Sequence, residues 1–549
     1  MSTPPCAACS APAPALQPEG LEMTDPANID HPKSAAPALP SIIRSAALMS
    51  LATLLSRILG MVRDMLMAAF FPRMVTDAYV VAFRLPNLFR RILGEGSMAA
   101  SFVPLYVEAL GRNDEEARSL ANAVFSMLMT LTASISVAGV IFMSPFMGWW
   151  VGGEGYMQVA GKFELTVFMA QIMFCYLFLV TTYAFLMSVA NAHKSFFLPA
   201  LAPAAFNVLL IVSALMPSLH VQGDQLAWGV VAGGIAQLLL TAQPLIKLKH
   251  MPHFSWLWNV QGTARFFRNV LPGIVGMSLA QLLGIMNVNF ASQLGQGTHS
   301  YIYLADRLLE FPQSLVSVSL GVALLPTLSG LWWRGERVKF LETVARHIRL
   351  LMVLSLPAAV GLYVLAEPIT RVIYGRGEFG EADILVTSQV VAIYATILVT
   401  SGLHRVTVPA FYAVKNTWLP AVNSVLCLLV HYFVARYATE HYGLQGLVGA
   451  TAFTGALNLG VLLVSYKILF GELGAVPFVR SVLWMTPALL AMGLAAPLVY
   501  AVLLAPLGAL ASLLMTLVVA AVLFFAVNRL LRHPDSNEVL GLVIGRLRR

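Results

Sequence analysis

The chain has 549 residues, of which 58% are hydrophobic and only 11% charged, with a formal net charge of +8. Soluble globular proteins carry about 25% charged residues, and a large core does not remove the need for a polar coat. The composition therefore excludes a soluble protein and points to a chain solvated by lipid.

Residues 1–40 are rich in Pro, Ala and Ser and bury too little apolar surface to order; they read as a disordered tail. They lack the basic start and apolar core of a signal peptide. Cys6 and Cys9 form a CxxC there, with no second pair and no histidine at ligand spacing, so a zinc or redox site is not expected. Cys175 and Cys427 sit in apolar runs.

From Ala46 onward, apolar runs long enough to span a bilayer follow one another almost to the end. They predict an all-α polytopic membrane protein with about fourteen helices: 45–70, 77–110, 118–148, 162–190, 196–216, 226–246, 268–294, 300–332, 340–367, 384–412, 418–437, 444–468, 480–504 and 507–530. Lys and Arg crowd the loops and tails on one side, notably Arg334, Arg337, Lys339, Arg346, Arg349 and the C-terminal Arg529 to Arg549. By the positive-inside rule both termini are expected in the cytoplasm. The basic balance reflects topology, and no nucleic-acid module is expected.

The chain repeats itself. Ala82-Phe-Arg84-Leu85 resembles Ala305-Asp-Arg307-Leu308, Val103-Pro-Leu105 resembles Leu325-Pro-Thr327, and Lys194 to Ala200 resembles Lys415 to Ala421, at offsets of 223, 222 and 221 residues. Six helices per repeat is an even number, so both copies have the same orientation. This predicts two six-helix lobes in parallel repeat, with two extra C-terminal helices. The boundaries expected are 41–250 for the N-lobe, 262–470 for the C-lobe, 480–531 for the extra pair and 532–549 for a basic cytoplasmic tail.

A charge at mid-bilayer costs at least about 2.5 kcal/mol, so charges kept there are candidate site residues. Arg84, Arg91 and Glu95 share one stripe if the second helix is continuous, and Arg90 and Arg91 lie about 20 Å from its outer end. Gly94 and Gly96 predict a bend. Arg90 and Arg91 snorkelling to the cytoplasm is the alternative, but Met98 to Leu110 continues as an apolar stretch. In the first helix Arg57 and Asp64 share a face, and Arg63 points about 120° away. The eighth carries Asp306, Arg307 and Glu310, of which the last two can pair within the helix. Arg405 is a single cation in the tenth. Several guanidinium groups in one cavity suit a phosphate or pyrophosphate. We expect Arg57, Arg63, Arg84, Arg90, Arg91 and Arg307 to bind substrate, and Asp64, Asp77, Glu95, Asp306, Glu310 and Arg405 to act as gating or structural charges.

No P-loop, HExxH, GxSxG or clustered metal-binding carboxylates occur. Asp114-Glu115-Glu116 reads as a solvated turn. An enzyme acting on polyprenyl phosphates is the disfavoured alternative. No cofactor is expected, and the coupling cation, if any, is left open.

LSRILGMVRD, TDAYVVAFRLPNLFRRILGEG and FVPLY within 55–106, YLADRLLEFPQSLVSVSLGVALLPTLS at 303–329 and PAFYAVKNTWLP at 409–420 resemble the lipid II flippases of bacterial peptidoglycan synthesis, the MurJ (MviN) family. The resemblance runs from about residue 42 to the C-terminus. It implies the multidrug/oligosaccharidyl-lipid/polysaccharide exporter fold and movement of lipid II from inner to outer leaflet by alternating access. Arg57, Arg63, Arg90 and Arg307 match arginines important in that family, and Asp77, Arg91 and Glu310 match family positions. The last two helices would line a groove for the undecaprenyl tail. Arg84 stands where the family often has lysine, and the turn Phe71 to Asp77 is a residue shorter than usual. A flippase for another undecaprenyl-linked glycan is the closest alternative. The expected setting is the bacterial inner membrane, with lipid II and membrane lipids as partners, the protein a monomer able to associate with cell-wall synthesis machinery.

Overall fold

In the computed structural model, residues 39–91, 97–321, 324–471 and 475–547 are described, and among them the chain is helical with no strand. It divides into Met1–Ala47, of which the described part is the start of α1, and Leu48–Arg549, to which the rest of this section refers. The first half runs α1 (Leu39–Phe70), α2 (Arg73–Phe89), α3 (Ser97–Arg112), α4 (Asp114–Ile141), α5 (Met143–Val151), α6 (Glu154–Met157), α7 (Lys162–Phe174), α8 (Tyr176–Ala192), α9 (Phe197–Leu215) and α10 (Asp224–Lys247). The second runs α11 (Thr263–Ser292), α12 (Thr298–Gly321), α13 (Leu324–Trp333), α14 (Arg337–Val364), α15 (Ala366–Tyr374), α16 (Glu381–Ala413), α17 (Trp418–Phe470), α18 (Ala475–Leu530) and α19 (Pro534–Leu547).

Eight helical runs among the described residues are long and apolar enough to cross a membrane, α7 with α8 counting as one. Two of them, α17 and α18, bend at Gly443 and Gly508, whose φ of +57° and +74° suit a residue without Cβ. The remaining expected crossings fall on α1, α2 with α3, α11, and α12 with α13. The outside is apolar as well as the inside: Leu494, Leu498 and Val502 on α18 and Leu51 on α1 are at least 60% exposed. Such a surface is stable only against lipid.

The internal repeat is visible in the backbone. α8 ends at Ala192 and α9 starts at Phe197; α16 ends at Ala413 and α17 starts at Trp418. Between them Lys194 and Lys415 adopt left-handed φ of 60° and 62°. The caps match bond for bond: Ser195 N donates to Ala190 O at 2.9 Å and Asn416 N to Phe411 O at 3.0 Å. α5 and α15 are each nine residues long and follow breaks at Phe142 and Leu365. Each half builds its own core. Tyr79, Phe83, Tyr176, Phe206 and Leu210 pack in the first. Leu304, Leu308, Tyr374, Tyr394 and Leu398 pack in the second.

Several of the expected segments are divided in the structure, 118–148, 300–332 and 340–367 among them, and two further differences concern charged stretches. The helix foreseen over 77–110 is two elements, α2 ending at Phe89 and α3 beginning at Ser97, with Pro86 inside the first and Pro104 inside the second. Gly94, Glu95 and Gly96 lie outside the described residues, as does the Pro/Ala-rich tail through residue 38. Asp114-Glu115-Glu116 is not a loop but the first turn of α4, capped by the Asn113 side chain accepting from Glu115 N at 3.1 Å. Acidic side chains there complement the helix dipole.

Candidate functional site

Two cavities open where α1, α2 and α12 meet. The larger, about 410 Å³, is lined by α1 (Ser56, Arg57, Gly60, Arg63, Asp64), by Asn87 and Arg90 beyond α2's core, by Tyr176 and Asn207, and by Arg307 and Glu310 of α12. The smaller, about 100 Å³, lies among Arg84, Arg91, Gln281, Asp306, Arg307 and Glu310.

Asp64 is the centre. It is 1% exposed, and Arg63 donates to its Oδ1 through Nε (2.9 Å) and Nη2 (2.7 Å). From the second half, Tyr303 Oη donates to Oδ1 at 3.1 Å and Arg307 Nε stands 3.4 Å from Oδ2. Tyr303 Oη also accepts from Arg63 Nη2 (2.9 Å) and Arg307 Nη2 (3.2 Å), so one phenol joins both guanidiniums to the shared carboxylate. Arg307 Nη1 donates to Glu310 Oε2 at 2.7 Å, and Glu310 Oε1 lies 3.9 Å from Arg91 Nη2. Alternating charges thus run from α1 through α12 toward α2. Taking the larger cavity alone, Arg57, Arg63, Arg90 and Arg307 face Asp64 and Glu310, an excess of two positive charges (4 − 2).

Asn207 completes the wall. Its Oδ1 accepts from Arg63 Nη1 at 3.0 Å and its Nδ2 donates to Ser56 O at 2.9 Å. α1 packs on α9 here with Gly60 facing Asn207: a Cβ at Gly60 would meet Asn207 Nδ2 at 3.5 Å, an ordinary contact. Arg90 is oriented by Asn87, whose Oδ1 accepts from its Nε at 2.9 Å.

The site residues foreseen in the sequence therefore separate. Arg57, Arg63, Asp64, Arg90, Arg307 and Glu310 share the larger cavity. Arg63 does not point away from the Arg57–Asp64 face; its long side chain swings back onto Asp64 and into the same space. Arg84, Arg91 and Asp306 belong to the smaller cavity. Arg405 on α16 is exposed and lines neither. Glu95 is outside the described residues. Tyr303 and Asn207 were not foreseen. Their only sequence signal is a polar group in an apolar helix one turn from a charge or facing one.

Asp77 stands elsewhere, at the end where α1 passes into α2. It is completely buried and accepts from Lys162 Nζ (2.7 Å), Gly297 N (2.7 Å), Ser300 N (2.9 Å) and Ser300 Oγ (2.7 Å). Lys162 is equally buried. Nearby, Glu378 N donates to Ala69 O at 2.9 Å, and the Arg73 guanidinium lies 4.9 Å from the centre of the Phe379 ring. The two halves are thus joined tightly at this end, beyond the cavity.

Two helical lobes around a charged central cavity define the class as membrane transporters of the exporter fold. A MATE-family multidrug transporter solved facing inward shares it, with a TM-score of 0.62 at 14% identity over 78% of this chain and 99% of that one. A lipid II flippase MurJ in an inward closed conformation matches with a TM-score of 0.72 at 24% identity, covering 88% of this chain and 99% of that chain. In sequence, a probable lipid II flippase of Bdellovibrio bacteriovorus is 43% identical over 427 residues, 77% of this chain and 81% of that protein. A lipid II flippase of Burkholderia cenocepacia is 32% identical over 442 residues, 78% of this chain and 84% of that protein. The family model described as lipid II flippase MurJ matches residues 66–530, and the chain belongs to that family of multi-pass membrane proteins.

Proposed function

We propose that this chain moves lipid II from the inner to the outer leaflet of the bacterial cytoplasmic membrane by alternating access, supplying cell-wall synthesis. The observation that carries the reading is the excess of two positive charges in a cavity between the lobes. Its guanidiniums match a pyrophosphate in charge and in fork geometry. Transport without covalent change needs no catalytic group.

The Lys and Arg asymmetry supports cytoplasmic termini. The Asp77 end is then the outer end, and substrate enters from the inside. Before it arrives, Asp64 and Glu310 act as internal stand-ins for the anion, holding Arg63 and Arg307 in place. A pyrophosphate between Arg57, Arg63, Arg90 and Arg307 competes with those carboxylates and draws α1, α2 and α12 together. The lobes rock outward because the anion binds the two arrangements with different affinity. Arg84 and Arg91 extend the anion path into the smaller cavity; Asp306 and Glu310 limit its positive field. The undecaprenyl chain stays in lipid beside α18. The protein works as a monomer, in contact with the cell-wall machinery.

The test is depletion of the protein in its host with an assay for lipid II on the outer leaflet, complemented by Arg63→Ala or Arg90→Ala. We expect lipid II to accumulate inside on depletion, and neither variant to restore exposure although both reach the membrane. Restoration by both would remove these arginines from the site; unchanged exposure on depletion would mean a different lipid-linked glycan.

A further inference from the structure

The smaller cavity holds three polar side chains that lack partners. Arg84 comes from α2, Gln281 from α11 and Asp306 from α12, and all three line the same space of about 100 Å³. None of the three forms a hydrogen bond or a close ion pair among the described residues. The charges beside them are already engaged. Arg307 is held by Asp64 and Glu310, and Arg91 stands 3.9 Å from Glu310. What remains is one guanidinium, one carboxylate and one amide, from three helices, facing each other across a gap. The guanidinium is seated against α11 where that helix has no side chain: a Cβ on Gly284 would lie 2.7 Å from Arg84 Nη2.

This composition selects against simple ions. An anion alone, a second phosphate included, would pair with Arg84 and be repelled by Asp306. A cation alone would meet the reverse. A neutral hydroxyl would leave both charges uncompensated, which is costly inside a membrane protein. A ligand with a carboxylate and an ammonium on one carbon satisfies both. Its carboxylate takes the planar fork of Arg84. Its ammonium donates to Asp306, and the Gln281 amide can donate or accept beside them.

The position agrees with the chemistry. The two cavities share Phe83, Asn87, Arg307 and Glu310 as a common wall. Arg84 lies roughly 9 Å nearer the Asp77 end than Arg90 along the chain of α2. A headgroup that enters from the inside and leaves its pyrophosphate among Arg57, Arg63, Arg90 and Arg307 therefore presents its far end, and not its phosphates, to the smaller cavity.

We infer that the smaller cavity recognises a zwitterionic amino-acid end, the free ammonium and carboxylate of a diamino dicarboxylic residue in the peptide that the substrate glycan carries, and that Arg84, Asp306 and Gln281 select for it. This rests on the transport reading. The test reconstitutes the full chain in proteoliposomes with three lipid II analogues that differ only at that side-chain end. One carries both charges, one has the carboxylate amidated, and one has the ammonium alone. Wild type is expected to move the first faster than either of the others by about ten- to a hundredfold, the worth of one hydrogen-bonded charge. In Arg84→Gln and Asp306→Asn the ratio between analogues is expected to fall toward one, whatever the absolute rates. Should those variants not fold, Gly284→Ala, whose Cβ displaces only the far end of the Arg84 side chain, is expected to lower the ratio in the same way. A merely structural role would slow all three analogues alike and leave the ratio at its wild-type value, which overturns the inference. Equal rates for the three analogues in wild type overturn it as well, with the flippase reading intact. If wild type moves none of them, the fully charged analogue included, the flippase reading itself has failed and the inference falls with it.

Discussion

At the scale of single residues, Asp64 holds the most exposed consequence. It is 1% exposed and is shared by Arg63, Tyr303 and Arg307, which come from different halves of the chain. Replacing one member of a buried ion pair leaves the other uncompensated, at about 3–5 kcal/mol. Asp64→Asn keeps the shape and removes the charge, so two guanidiniums lose their common partner. We expect a clear fall in melting temperature in detergent, partly recovered by an added pyrophosphate, which replaces the missing negative charge. A melting temperature equal to wild type would mean that the guanidiniums find solvent or other partners instead. The charged members of this cluster were legible in the sequence, because an Arg or Asp in an apolar helix is expensive and stands out. Tyr303 and Asn207 were not, since a phenol or an amide in a membrane helix is cheap and its partner is set by packing. Lys162 was missed for the opposite reason. It opens α7 beside a turn, where a lysine reads as solvated, yet it is fully buried against Asp77.

At the scale of elements, the closed end depends on a backbone contact that only glycine allows. Gly377, between α15 and α16, has a φ of +59°, and a Cβ on it would lie 2.1 Å from Ala69 O near the end of α1. The left-handed conformation alone costs an alanine about 1–2 kcal/mol, and the clash is with backbone and cannot be relieved by a rotamer. Gly377→Ala is therefore expected to loosen this end and shift the lobes apart there. Spin labels at Phe70 and Leu385, both more than half exposed, report it as a longer and broader distance distribution. An unchanged distribution would show that the loop yields without moving α1. The succession of apolar spans and the repeated helix turn were readable because they rest on apolar length and on matched turn chemistry, as at Lys194 and Lys415. The division of the second expected helix into α2 and α3 was foreseen only as a bend at Gly94 and Gly96, because the apolar pattern on either side reads as one continuous helix.

At the scale of the whole molecule, alternating access requires that the Asp77 end open in every cycle. The structure offers a direct way to forbid this. Thr76 Oγ1 and Ser300 Oγ are 2.8 Å apart, both residues are buried, and they belong to α2 and α12 of opposite lobes. Cysteines at these two positions place their sulfurs within reach of a disulfide with little backbone movement. Cys6, Cys9, Cys175 and Cys427 must first be replaced, so that no other pairing competes. Each time the end opens, oxidant reaches the thiols, and on reclosing the bond forms and holds the lobes together. The Thr76→Cys/Ser300→Cys protein should flip lipid II when reduced, stop when oxidised and resume on reduction, while either single variant stays active throughout. Ser300 also donates to Asp77, so some loss in the reduced double variant is expected, and the oxidised-to-reduced ratio is the quantity that decides. Full activity with the bond quantitatively formed would mean that substrate passes without separation of α2 from α12, and the two-lobe rocking mechanism would have to be abandoned.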